Sequence, residues 1–199
     1  AVAAQPGPPP QYPVSLTTGS ADIASRPPLS IDLMGQLGGP SYAVEVVGNY
    51  AYLGVGPRLV ILNISNPSNP VIVGQSELLP DLVRDVRVAN GIAYVAADTH
   101  GGLQIINVSN PAAPVVISSY NTPGAAYGIA VVGPNVYIAD GSTSPALRIF
   151  EVSDPAHPIL RSSFDLSGDP HHVVVAGDMA YVAAGYSGGL QIIDISNPL

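Results

Sequence analysis

The chain has 199 residues, with 14 acidic against 6 basic side chains, a net charge of −8 at pH 7, 47% hydrophobic residues and no cysteine. Its basic residues are all arginine (Arg26, Arg58, Arg84, Arg87, Arg148 and Arg161), which excludes Schiff-base and P-loop lysine chemistry, and the missing cysteines exclude disulfides, thiolate zinc and cysteine nucleophiles. Six scattered arginines in an acidic chain cannot neutralise a run of phosphates, so no nucleic-acid partner is expected, and no apolar run approaches the roughly 20 residues of a transmembrane helix.

In chain order, residues 1–28 come first, with seven prolines (Pro6, Pro8, Pro9, Pro10, Pro13, Pro27 and Pro28) among Ala, Gln, Ser and Thr. They read as a Pro-rich extended lead-in. The opening Ala1-Val2-Ala3-Ala4-Gln5 resembles the small-residue region around a signal-peptidase site, and the expectation is a mature exported protein, extracellular, at the cell surface or periplasmic.

Residues 29–199 carry a repeat. Tyr52, Tyr94, Tyr137 and Tyr181 follow one another at 42, 43 and 44 residues, and Pro67, Pro111, Pro155 and Pro198, each after Asn or Asp, at 44, 44 and 43. Two markers in register over four copies define repeats at about 42–78, 84–121, 127–165 and 171–198. Each copy opens with an alternating β-branched strand (Val44/Val46, Val86/Val88, Ile129/Val131, Val173/Val175) that runs into a hairpin turn at Gly48-Asn49, Asn90-Gly91, Gly133 or Gly177-Asp178. The second strand carries the marker tyrosine and then small residues before a Gly-rich turn. The third begins at Leu59, Leu103, Leu147 or Leu190, and a short fourth follows a proline at Val71–Val73, Val115–Ile117 and Ile159–Leu160.

Four short antiparallel strands per repeat of this length is the period of a β-propeller blade. A blade is covered on both faces, so its inner strands lose polar alternation, and small residues let neighbours approach closely. The expected fold is therefore all-β, a β-propeller of four-stranded antiparallel blades, either a closed four-blade ring or part of a larger propeller. After Asn197-Pro198 the last copy has no outer strand. The segment 29–37, whose Ser30–Gln36 resembles Val71–Gln75, is the candidate closing outer strand. An incomplete view of a longer chain and a dimer that makes one eight-bladed ring are the two competing arrangements.

The stretches Leu103-Gln104-Ile105-Ile106-Asn107-Val108-Ser109-Asn110-Pro111 and Leu190-Gln191-Ile192-Ile193-Asp194-Ile195-Ser196-Asn197-Pro198 resemble the LVIVD repeat of exported bacterial and archaeal surface proteins. The resemblance covers about residues 42–198. It implies a propeller and brings no general catalytic set. The third copy departs from the pattern, with Pro145-Ala146 in place of Gly-Gly and Glu151 in place of Asn or Asp.

In a propeller, the loops entering each first strand and those joining second to third strands share one face. On that face the candidate binding residues are Arg84, Asp98, His100, Tyr127, Asp140, His171, His172 and Tyr186, together with Asp81, Asp85, Thr99, Ser142, Asp169 and Ser187. A metal or acid–base site from His100, His171 and His172 with Asp98 or Asp140 would need convergence across blades. Adjacent His171 and His172 on one strand point opposite ways. Polar mouth residues bonding neighbouring loops are the simpler reading, and no catalytic, metal or cofactor residues are assigned. Asn63, Asn107, Glu151 and Asp194 recur in phase and are expected to cap the turn before Asn/Asp-Pro; Asn63-Ile64-Ser65 and Asn107-Val108-Ser109 also match the glycosylation sequon, but their placement inside strands reads as coincidence. No Asp-x-Asp-x-Asp calcium loop or Gly-x-Ser-x-Gly elbow is present.

The function expected is a non-catalytic interaction or structural module within a surface or membrane-associated assembly, binding a protein or glycan partner through the loop face. A metal-binding or enzymatic propeller using the His/Asp residues is the first alternative. A self-assembling homo-oligomer joined by edge strands is the second.

Overall fold

A computed structural model of the chain describes residues 41–197; the expectations for the 1–28 lead-in and for a closing strand at 29–37 lie outside the described residues. Fifteen strands are described. Blade one holds β1 (Ser41–Val47), β2 (Tyr50–Val55), β3 (Arg58–Asn63) and β4 (Val71–Gln75). Blade two holds β5 (Asp85–Ala89), β6 (Ile92–Ala97), β7 (Gly102–Asn107) and β8 (Val115–Tyr120), with one helical turn, α1 (Asp98–Gly101), before β7. Blade three holds β9 (Ala125–Val132), β10 (Asn135–Gly141), β11 (Ala146–Glu151) and β12 (Ile159–Asp165). Blade four holds β13 (His172–Ala176), β14 (Met179–Ala183), the turn α2 (Gly185–Gly188) and β15 (Leu190–Asp194). Each blade is an up-and-down antiparallel sheet in chain order.

Local chemistry places the turns. At Asn90-Gly91 both residues have positive φ, 52° and 75°, the pattern of the tight turn whose twist suits a two-residue hairpin. The in-phase side chains hold the turn after the third strand. The Oδ1 of Asn63 accepts from the Ser65 amide at 2.9 Å, that of Asn107 from the Ser109 amide at 3.0 Å and that of Asp194 from the Ser196 amide at 2.9 Å. Glu151 accepts instead from the Ser153 hydroxyl, at 3.0 Å.

Two details differ from the sequence expectation. The fourth strands run on to Gln75, Tyr120 and Asp165, because an irregularity at one phase of each ladder (Ile61/Leu62, Ile105/Ile106, Ile149/Phe150) resets the register and lets residues without apolar alternation keep pairing. The expected Gly-rich turns between second and third strands are single helical turns in blades two and four.

The first strands line the inside of the arc, where β1 packs on β5, β5 on β9 and β9 on β13. The core lies between blades. One face of each blade, here termed trailing, carries the marker tyrosine, and the leading face of the next blade covers it. Tyr52, Leu59 and Ile61 meet Val86, Val95, Ile106 and Val108. Tyr94, Leu103 and Ile105 meet Ile129, Ile138, Phe150 and Val152. Tyr137, Leu147 and Ile149 meet Val173, Val182 and Ile195. A smaller cluster, Ala51, Val60 and Leu62, lies on the leading face of blade one. Among the described residues the sheets do not close into a ring, and the four blades form an open arc.

Close approach explains the small residues. A side chain on Gly54 would stand 2.5 Å from Val83, and one on Gly128 would stand 2.7 Å from the carbonyl oxygen of His171. Across the second seam the Asp85 carboxylate accepts from the Ile129 amide at 3.0 Å, tying the two first strands together.

Candidate functional site

Ten residues before each marker tyrosine stands the residue that enters the first strand: Tyr42, Arg84, Tyr127 and His171. Tyr42 is skipped in the β1/β2 pairing, where Ser41 pairs with Val55 and Ala43 with Gly54. Tyr127 is skipped likewise in the β9/β10 pairing. Such bulges re-aim a side chain out of the sheet. Arg84 and His171 precede β5 and β13, fixed by amide bonds to the carbonyls of Ala96 at 2.8 Å and Ala183 at 2.9 Å.

These four side chains stack in blade order. The Arg84 guanidinium lies 4.9 Å from the Tyr42 ring centroid on one side and 5.5 Å from that of Tyr127 on the other. Tyr127 and His171 stack with centroids 5.0 Å apart and planes 27° apart. A cation between aromatic faces is attracted by both ring quadrupoles. Asp98 anchors the guanidinium, at 2.7 Å from Nε and 2.5 Å from a terminal nitrogen, and itself accepts from the Thr99 hydroxyl at 3.0 Å. Asp98 has φ of 41°, a left-handed conformation uncommon outside glycine, so α1 starts from a fixed kink that presents this carboxylate to Arg84. The ends of the row are open, with Tyr42 and the His171 side chain more than half exposed.

The remaining expected residues lie elsewhere. His100 bonds the Asp81 carboxylate through Nδ1 at 2.9 Å. Burial pushes Asp81 upward, but the bonds from the His100 ring and from the Leu82 and His100 amides outweigh it and hold its carboxyl below its ordinary value. Asp140 is fully buried and structural. It accepts from Arg148 at 2.5 Å, from the Thr122 hydroxyl at 2.7 Å and from the Gly124 amide at 3.1 Å. Arg148 is in turn held by Ser163 at 2.7 Å. His172 opens β13, exposed and paired with Ala183, and Tyr186 is fully exposed on α2. The three histidines of the sharper metal reading are thus not brought together, and among the described residues no group of three His, Asp or Glu side chains is placed to hold a metal. Tyr42 was not among the residues expected from the sequence. Its phase, ten residues before Tyr52, was the available signal.

Four antiparallel sheets packed face to face around their first strands, with a row of planar side chains crossing them, define a β-propeller. The LVIVD repeat matches residues 38–77, 82–122, 123–166 and 167–198, and the chain belongs to the LVIVD repeat family. No curated protein matches the chain. Among solved structures it is similar to the computationally designed Ika4 protein, at 12% identity and a TM-score of 0.61 over 84% of this chain and 100% of that one. It is also similar to the computationally designed Ika8 protein, at 10% identity and a TM-score of 0.64 over 80% of this chain and 47% of that one. At these identities the likeness is one of fold.

Proposed function

We propose that this protein is an exported, cell-surface propeller that acts as a non-catalytic interaction module, holding a protein or glycan partner at the face crossed by Tyr42, Arg84, Tyr127 and His171. The stacked row carries the reading. Aromatic and arginine side chains on a rigid scaffold are the groups that dominate binding energy at interfaces. Arg84 is already clamped by Asp98 and flanked by two rings, so a partner would find it ordered and little side-chain freedom would be lost on binding. The exported location rests on the family resemblance.

The test is binding of the purified chain to panels of immobilised neutral oligosaccharides and immobilised peptides, repeated with Tyr42→Ala, Arg84→Ala and His171→Ala. The expected result is a retained probe whose affinity falls about tenfold or more in each variant, the equivalent of about 1.4 kcal/mol, at unchanged far-UV dichroism. A probe bound equally well by all three folded variants contradicts the reading.

A further inference from the structure

The turn that joins β5 to β6 differs from the hairpins of the other blades. In blades one, three and four a glycine comes first, at Gly48, Gly133 and Gly177, with φ of 58°, 56° and 58°, whereas blade two has Asn90 and then Gly91. Asn90 is exposed. Gly91 has φ of 75°, and a Cβ there would stand 2.6 Å from the Ser109 hydroxyl oxygen, so the turn holds this position to glycine. The Gly91 carbonyl accepts from the Val108 amide at 2.8 Å. The ladder closes at the Ala89/Ile92 pair, and among the described residues no hydrogen bond engages the Gly91 N–H or the Asn90 side chain.

We propose that Asn90 is a site of spontaneous modification, converted to aspartate and isoaspartate by the backbone nitrogen of Gly91. That nitrogen gives its proton to hydroxide and bonds to Asn90 Cγ, while the side-chain nitrogen takes a proton from water and leaves as ammonia, closing a five-membered imide. Water then adds to one of the two imide carbonyls and breaks its bond to the ring nitrogen. Opening at one carbonyl gives aspartate; opening at the other leaves the main chain running through the former side chain, as isoaspartate. No other asparagine meets the same conditions. Asn66, Asn69, Asn110 and Asn197 precede proline, which has no N–H. The N–H after Asn63 is bonded to the Asn49 carbonyl and that after Asn107 to the Gly91 carbonyl, each at 2.8 Å. Tyr50 and Val136, after Asn49 and Asn135, lie in strand ladders, and Thr122, after Asn121, is buried. Aspartate keeps the turn, because Asp-Gly suits the same geometry, whereas isoaspartate adds a backbone atom to a two-residue loop. Residues 88–97 of blade two carry no charged side chain, and either product puts a carboxylate there.

The experiment holds the folded, full-length chain in mildly alkaline and mildly acidic buffer over a time course, then maps chymotryptic peptides by mass and labels isoaspartate enzymatically. The expected result is exchange of the Asn90 amide for a carboxyl, with isoaspartate label in the same peptide. Conversion should be at least about tenfold faster in the alkaline buffer, and at least about tenfold faster than at Asn49, Asn121 or Asn135 in the same sample, a barrier lower by about 1.4 kcal/mol. Asn90→Gly, which keeps a residue suited to the left-handed turn, should show no mass change in that peptide. Asn90→Asp, which has no side-chain amide to lose, takes its place if far-UV dichroism shows the glycine variant unfolded. A folded chain that keeps Asn90 intact, a rate indifferent to pH, conversion at Asn49, Asn121 or Asn135 as fast as at Asn90, or a mass change in the same peptide of the variant overturns the proposal.

Discussion

Blade three and blade four are built from one pattern yet bury different surfaces. Tyr137, Leu147 and Ile149 are core, and Tyr181, Leu190 and Ile192 at the same phases face solvent. The sequence of a blade is thus written for a neighbour, and burial follows from whether that neighbour is in place. The blades also differ inside. At one phase of the third strand blade three has Arg148, paired with buried Asp140, and blade four has neutral Gln191, which donates to the Ser167 carbonyl at 2.7 Å.

The largest effect should come from breaking the buried pair of blade three. Asp140→Ala leaves the Arg148 guanidinium without its partner, and equilibrium denaturation should show a loss of about 3–5 kcal/mol. Gln191→Ala, by the same measurement, should cost about 1 kcal/mol, the net worth of a neutral hydrogen bond. Next comes the apolar contrast between the trailing faces of blades three and four. There Leu147→Ala should cost about 2–5 kcal/mol and Leu190→Ala less than about 0.5 kcal/mol, as for an ordinary surface position. Equal costs would show that the trailing face of blade four is packed within the single chain.

The seam between these two blades can be probed at Gly128, where a side chain would meet the His171 carbonyl oxygen at 2.7 Å. Gly128→Val should lower stability by about 1–3 kcal/mol and also disturb the Tyr127–His171 stack, so probe binding should fall with it. The smallest effect is acidic. Asp81 holds its folded carboxyl below the ordinary value, so its contribution is complete above about pH 4 and is lost as pH falls through the lower folded value. Asp81→Asn should flatten the acid limb of the stability profile. An unchanged limb would show that the contact with α1 contributes nothing to stability.

Much of the fold was legible because two markers fixed the phase. The marker tyrosines, the Asn/Asp-Pro turns and the capping role of Asn63, Asn107 and Asp194 all depend on local spacing, which a single sequence displays. The strand extensions beyond Val73, Ile117 and Leu160 were not legible, because a register reset in the preceding ladder leaves no apolar alternation to read. In the site, Arg84, Tyr127 and His171 were expected by residue type and loop position, but their stacking and the membership of Tyr42 depend on bulges that aim the side chains. Asp140 was misplaced among the mouth residues for a related reason. A carboxylate near a Gly-rich turn looks exposed until its partner, Arg148, is seen beside it in the sheet.

The most direct test of the claim that a neighbouring blade face sets burial is tyrosine nitration of the chain, mapped by mass spectrometry. Burial pushes the phenols of Tyr52 and Tyr94 above their ordinary value, which reinforces their protection because the phenolate is the reactive form. Tyr52, Tyr94 and Tyr137, covered by the next blade, should stay unmodified, and Tyr181 should react. Reaction of Tyr137 at the rate of Tyr181 would contradict the account.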